Sequence, residues 1–243
     1  DTGPVLEREA AVRAGLGWFG KHTGLIHKRA GSWLLLGEIL LTAELDYDTP
    51  GPDHCGTCTR CIDACPTGAI LEPYVLDSRK CISYLTIEVK GAIPADMRAQ
   101  VGDWVFGCDV CQEVCPWNRK APATAEPAFA PHEGPEAPDL IELLRMDQAA
   151  FSARFKGSPI KRTKRRGLLR NAAVSLGNSG DRRAVPALAE ALNDPEALVR
   201  GHAAWALGRL GGDEARAVLK AALGREEDAE ARGEIERALG AIA

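Results

Sequence analysis

All eight cysteines of this 243-residue chain lie between Cys55 and Cys115, and residues 116–243 contain none. Cys55, Cys58, Cys61 and Cys65 are spaced C-x2-C-x2-C-x3-C, with Pro66 directly after the last. This is the ligand run of bacterial two-cluster ferredoxins, in which three thiolates hold one [4Fe-4S] cubane and the fourth crosses to the other. The second set is Cys81, Cys108, Cys111 and Cys115, followed by Pro116. The crossover rule assigns Cys55, Cys58, Cys61 and Cys115 to cluster 1, and Cys65, Cys81, Cys108 and Cys111 to cluster 2. A disulfide framework suits a small secreted domain, and nothing in the sequence points to secretion. Paired C-x2-C units also suit structural zinc, which would leave the protein colourless. The unbroken x2, x2, x3 spacing and the proline after each terminal cysteine favour iron–sulfur. The expected chemistry is electron transfer, and the cysteines do not specify a substrate.

Residues 82–107 separate Cys81 from Cys108 and include Lys90, Arg98 and Trp104. This insertion reads either as a face turned to another cofactor or substrate, or as an ordinary surface helix. Upstream, Glu7–Leu16 reads as a short helix stopped by Gly15 and Gly17. Thr23–His27 and Ser32–Thr42 read as two strands joined by the turn 28–31. So small a hairpin is not independently stable, so it is expected to complete a mixed sheet whose other strands precede Asp1. The glycines between residues 3 and 37 fit close packing against a bulky cofactor or simple turns.

Pro122, Pro127, Pro131, Pro135 and Pro138 mark residues 118–139 as a linker, and Leu140–Phe155 reads as one helix. Beyond Arg166 a repeat begins: Ala172–Gly177 (AAVSLG) returns as Ala203–Gly208 (AAWALG), and Leu188 and Leu192 return as Leu219 and Leu223. Paired helices at this period resemble HEAT repeats, which stack because one pair cannot cover its own apolar face. Charge is uneven. Residues 154–170 hold eight basic and no acidic side chains, so the rest of the chain carries -12 against a net charge of -4. A basic element on an acidic protein is the footprint of nucleic-acid binding, though a solvated face or a protein contact also fits. No apolar run reaches the roughly 18 residues of a membrane span, so no membrane association is expected.

The fold class expected is α+β, in four stretches. Residues 1–50 are the remnant of an N-terminal mixed sheet domain, and 51–120 a bacterial-ferredoxin-like two-[4Fe-4S] module. Residues 121–163 are linker and helix, and 164–243 an all-α HEAT-like repeat domain. Together the motifs DTGPVLER, GWFGKHTGLI, GCDVCQEVCPWN and SPIKRTKRRGLLRNAAVSLGN resemble the epoxyqueuosine reductases, which complete the queuosine base of tRNA. Members of that family carry a further N-terminal stretch ahead of DTGP.

The resemblance implies cobalamin as a third cofactor, reduced through the two clusters, and epoxyqueuosine in the tRNA anticodon loop as substrate. It implies Asp1 as the proton donor and as a cobalamin neighbour, held protonated by burial beside the corrinoid. Further cobalamin contacts are expected at Leu25, Leu36, Ser83 and Asp109. Contacts to tRNA are expected from Arg8, Ile26, His27, Lys28 and Lys90, and from Lys161, Arg162, Lys164, Arg165 and Arg170 of the tail. A flavodoxin or ferredoxin system as electron donor, a monomer and a cytoplasmic location complete the expectation. Two other readings share these features. A reductive dehalogenase-like cobalamin enzyme would act on small organohalides without tRNA affinity. A ferredoxin-type carrier with a HEAT docking domain would hold two clusters and turn nothing over.

Overall fold

The computed structural model describes residues 4–129 and 138–242. In chain order the elements begin with α1 (Glu7–Arg13), β1 (Trp18–Phe19), β2 (Leu25–Ile26), α2 (Arg60–Asp63), β3 (Ile70–Glu72) and β4 (Val75–Leu76). There follow α3 (Ala95–Val101), α4 (Val110–Glu113), α5 (Leu140–Leu144), α6 (Gln148–Arg154) and α7 (Lys164–Ser179). The series closes with α8 (Val185–Ala191), α9 (Ala197–Leu210), α10 (Asp213–Leu223) and α11 (Ala229–Ala241). They gather into two units: residues 1–81 with 109–130, and residues 82–108 with 131–243.

In the first unit β1 pairs antiparallel with β2, Trp18 opposite Ile26, around a tight turn over 20–24. β3 and β4 form a second small hairpin after the first cysteine run. The strand expected over Ser32–Thr42 is not formed. The structure pairs 18–19 with 25–26 instead, leaves only a bridge between His27 and Gly31, and gives 33–50 no regular form. Ser32 explains the difference locally, because Asn118 and Gln112 take its polar groups. The Asn118 carboxamide accepts from Ser32 N at 2.6 Å and donates to Ser32 Oγ at 2.8 Å, and Gln112 Nε2 donates to Ser32 O at 2.8 Å. The apolar residues beyond are left outward, with Leu35, Ile39 and Leu40 more than four-fifths exposed. The helix expected over Glu7–Leu16 ends at Arg13, and Gly15 beyond it has φ 68°.

The second unit is helical. α7, α9 and α11 form one layer, with α8 and α10 behind, around a core of Leu169, Leu188, Val199, Leu207, Leu219 and Ile235. The repeated glycines mark the crossings of that layer. A Cβ at Gly177 would sit 2.8 Å from Ala206 Cα, and one at Gly208 would sit 2.9 Å from Ala238 Cα. The single helix expected over Leu140–Phe155 is two. The Asp147 carboxylate accepts from Ala150 N and starts α6, an N-cap that competes with helix continuation.

The boundary expected at residue 120 is also different, because residues 82–107 belong with the repeats. Ile82, Leu85, Ile93, Met97 and Val101 pack on Val174 of α7. Polar side chains of α7 then satisfy the insertion's backbone. Arg170 donates to the carbonyls of Leu85, Val89 and Gly91, and Asn171 to those of Thr86 and Val105. Residues Tyr84–Glu88 form a π-turn, in which Thr86 Oγ1 donates to Ile82 O and accepts from Gly107 N. π-Turns of this kind concentrate at functional positions.

Candidate iron–sulfur and nucleic-acid sites

Four thiols of the first unit share one cavity. Cys55, Cys58, Cys61 and Cys115 line a space of about 290 Å³ with Lys21, His22, Ile26, His54 and Trp117. α2 carries Cys61, and Cys115 follows α4 at the start of a 3₁₀ turn, so short helices of the two cysteine runs deliver the set. Burial pushes the Cys61 and Cys115 thiols up, and nearby thiols reinforce it, Cys55 acting on both. Four crowded sulfurs in a protein wall lower their mutual repulsion by binding cations, and a cubane offers four irons. Spread around a cavity, the four thiols fit a cluster.

Side chains outside the cysteine runs hold this wall. The buried Lys21 Nζ donates to the carbonyls of Gly56 at 2.6 Å and Cys58 at 3.0 Å, which fixes the loop between Cys55 and Cys58. Asp53 accepts from Cys55 N at 2.6 Å and from the Tyr74 hydroxyl, and that partnership pushes the Tyr74 phenol up to about 12. Trp18 packs on Cys115 and Cys55, edge-on to Trp117 with centroids 4.9 Å apart. Asn118 donates to Gln112 O at 2.6 Å, so QEVCPWN closes on itself around Cys115 and docks Ser32. Gly31 is required there, since a Cβ would meet Asn118 Oδ1 at 2.1 Å. None of Lys21, Gln112 or Asn118 was singled out from the sequence, although the motifs that contain them were.

Of the second set, Cys65, Cys81 and Cys111 lie in the first unit and Cys108 in the second. Burial pushes the Cys65 thiol up, but the N–H groups of Ile70, Thr67 and Ala69 outweigh it and hold the thiol below its usual range. Ala69 N approaches Cys65 Sγ at 3.3 Å, an environment that suits a thiolate ligand. Cys108 packs at the edge of the apolar cluster built on Ile82 and Leu85.

The expected cobalamin residues differ in burial. Leu25 is buried, Leu36 and Ser83 are half-buried, and Asp109 is exposed just before α4. The cavity lined by the four thiols includes none of them. Asp1 lies outside the described residues.

The expected tRNA residues separate by burial. Arg8, Lys28, Lys90, Lys161, Arg162 and Lys164 are exposed, and His27 is half-buried. In the second unit Lys90 donates to Arg162 O at 3.0 Å, which brings the insertion's cation onto the basic tail, and Arg162 pairs with Glu88 at 2.7 Å. Arg165 is partly buried, paired with Asp194 and donating to Met146 O. Two expectations need correction. Arg170 is completely buried and spends its donors on the insertion's carbonyls, so it offers nothing to a nucleic acid. Ile26 is 1% exposed beneath Cys115 and Trp18, so its side chain belongs to the wall of the thiol cavity.

Fold and site together define a two-cluster ferredoxin module joined to helical repeats. A family described as a 4Fe-4S double cluster binding domain matches residues 54–118, and HEAT repeats match residues 162–240. The chain is similar to the epoxyqueuosine reductases. It is 52% identical over 212 residues to the epoxyqueuosine reductase of Xanthomonas campestris pv. campestris, covering 87% of this chain and 60% of that one. It is 44% identical over 207 residues to that of Escherichia coli K12, covering 85% and 55%. A crystal structure of an epoxyqueuosine reductase with an epoxyqueuosine-modified tRNA-Tyr stem loop matches at TM-score 0.95 and 36% identity, over 100% of this chain and 64% of that one. A Bacillus subtilis epoxyqueuosine reductase with its aspartate-bearing catalytic loop swung out of the active site matches at TM-score 0.95 and 35% identity, over 100% and 65%. The chain thus spans somewhat more than half the length of the curated relatives it matches.

Proposed function

We propose that this chain is the cluster-holding and tRNA-holding part of an enzyme that reduces the epoxide of epoxyqueuosine in a tRNA anticodon loop. The observation that carries the reading is the cavity shared by Cys55, Cys58, Cys61 and Cys115, in a chain whose relatives are epoxyqueuosine reductases. Residues 1–50 would then be the end of a cobalamin-binding domain, and Leu25, Leu36, Ser83 and Asp109 the residues that would contact the corrinoid. When bound, cobalamin would supply the two-electron reduction of the epoxide, with electrons reaching it by way of the clusters.

The protein's own residues do three things. The eight thiolates hold the clusters, and Lys21 and Asp53 set the loop that presents Cys55 and Cys58. Asp1 holds the proton that the opening epoxide oxygen needs, since that oxygen leaves carbon with alkoxide character. Loss of the oxygen as water takes two electrons and two protons, the electrons drawn from a flavodoxin or ferredoxin system. Lys90, Lys161, Arg162 and Lys164 hold tRNA phosphates, with Arg8, His27 and Lys28 nearer the modified base. That base is read unstacked, as single-stranded nucleotides in loops are. The setting is cytoplasmic and the enzyme a monomer. Among the described residues, no helix is long and apolar enough to cross a membrane.

The test is anaerobic turnover by the full-length parent, with cobalamin, a low-potential reductant and epoxyqueuosine-containing tRNA, followed by nucleoside mass spectrometry. Loss of one oxygen supports the reading. Protein holding both clusters and a corrinoid that leaves the nucleoside unchanged, yet dehalogenates small molecules, replaces it with the dehalogenase-like one. In the same assay Asp1→Asn abolishes turnover while leaving iron and corrinoid content intact.

A further inference from the structure

Among the described residues that line the thiol cavity, His22 carries a buried ring nitrogen with no partner, and Trp18 Nε1 behind the wall has none either. His22 is 93% buried and lines the cavity, and its Nε2 makes no hydrogen bond within the protein. Its ring is fixed in place and in tautomer. Gly24 N donates to His22 Nδ1 at 3.1 Å, so Nδ1 is the acceptor and the ring proton of the neutral imidazole sits on Nε2. The turn is closed by Gly20 N donating to Gly24 O at 2.8 Å. The two glycines clamp the ring: a Cβ at Gly20 would meet Nε2 at 3.0 Å, and one at Gly24 would meet Cε1 at 2.9 Å. GKHTG is therefore a built holder for an imidazole.

A buried N–H without an acceptor is costly, and a sequence that commits two glycines and a turn to holding one is satisfying it from elsewhere. The sulfurs of a cluster held by Cys55, Cys58, Cys61 and Cys115 are acceptors inside the same walls. We infer that His22 Nε2–H donates a hydrogen bond to a sulfur of cluster 1 and thereby sets that cluster's reduction potential. This rests on the proposal that the four thiols hold a cluster. A donor to sulfur stabilises the more negative, reduced state, so the bond raises the potential. His22 is then a positioning residue for electron entry rather than a group that touches substrate.

His22→Asn isolates the interaction, because the asparagine Oδ1 can still accept from Gly24 N in an Asx turn while the Nε2 donor is gone. The experiment is a potentiometric titration of the anaerobically reconstituted full-length protein, followed by EPR, with parallel nitrogen hyperfine spectra from protein labelled with 15N-histidine. The expected result is one midpoint moved to more negative potential, the other unmoved, and loss of one histidine nitrogen coupling. Unchanged midpoints in a variant with full iron content overturn the inference. If the variant fails to load iron, the wild-type hyperfine spectrum decides, and absence of a coupled histidine nitrogen overturns it. A wild-type protein with no iron at the first cysteine set defeats the underlying cluster assignment instead.

Discussion

Arg170 and Lys164 stand six residues apart on α7 and do opposite work. Arg170 is fully buried, and burial followed by the charge of Arg166 lowers its pKa to about 10, so it stays charged at neutral pH while holding the insertion's carbonyls. Arg170→Met strands those carbonyls and is expected to cost roughly 3 kcal/mol or more, since each unmet buried group costs about 1–3. Thermal denaturation checks it. Lys164→Glu is expected to leave the melting temperature alone, weaken tRNA binding and reduce the salt slope by about 1 or slightly more. His202 gives the pH dependence. It is buried between Leu198 O, which Nδ1 contacts at 2.8 Å, and Ile93 N, which donates to Nε2 at 3.2 Å. Desolvation first, then the charges of Arg98 and Arg170, lower its pKa from 6.5 to about 3, against the opposing charge of Glu234. The unfolded chain therefore binds a proton that the folded chain refuses. Stability is full above about pH 6.5 and falls toward pH 3 by about 1.4 kcal/mol per unit. In urea titrations across that range, His202→Gln flattens the slope.

At the scale of elements the repeated glycines are the sharpest feature. Gly177 and Gly208 occupy equivalent places in successive repeats, where α7 meets α9 and α9 meets α11. Gly→Ala in a helix is ordinarily favourable by about 1 kcal/mol. Here each Cβ would press on the backbone of the next helix, so Gly177→Ala and Gly208→Ala are expected to destabilise by about 1–3 kcal/mol. Urea unfolding of the two variants measures this, and a gain in stability refutes the crossing. The repeat period was legible in the sequence because apolar and small residues recur in step with the helices. The short helix after Glu7 and the two cysteine runs were legible for similar local reasons. The strand over 32–42 was misread because its pattern is apolar enough for a strand, while its pairing depends on a neighbour that local sequence does not contain. The role of Arg170 was misread because charge can be counted along a chain, whereas burial depends on residues 85–91, about eighty positions away. Lys21 and His22 stayed hidden for the same reason, since their partners are the loop at 56–58 and the thiol cavity.

At the scale of the whole molecule, the ferredoxin spacing predicts that the two cysteine runs exchange their last members, so removing Cys115 should empty a site begun sixty residues earlier. Cys115→Ala is expected to drop bound iron from about eight to about four atoms per chain, with the loss at the cluster of Cys55, Cys58 and Cys61. Iron analysis with Mössbauer spectra of the full-length protein checks it, and retention of both clusters rejects the crossover. The wild-type repeat helices should be unaffected by circular dichroism, because their core is made of residues 143–242.

The interleaving of segments also constrains the order in which such a chain can be finished. Residues 82–108 leave the ribosome well before α7 does, and until α7 follows, the carbonyls of Leu85, Thr86, Val89, Gly91 and Val105 have only water to bond. At a synthesis rate of about 5–20 residues per second that wait lasts several seconds. Cys108 closes this waiting segment and packs on the apolar cluster that Val174 of α7 completes, so its thiol gains its final surroundings only once α7 is made.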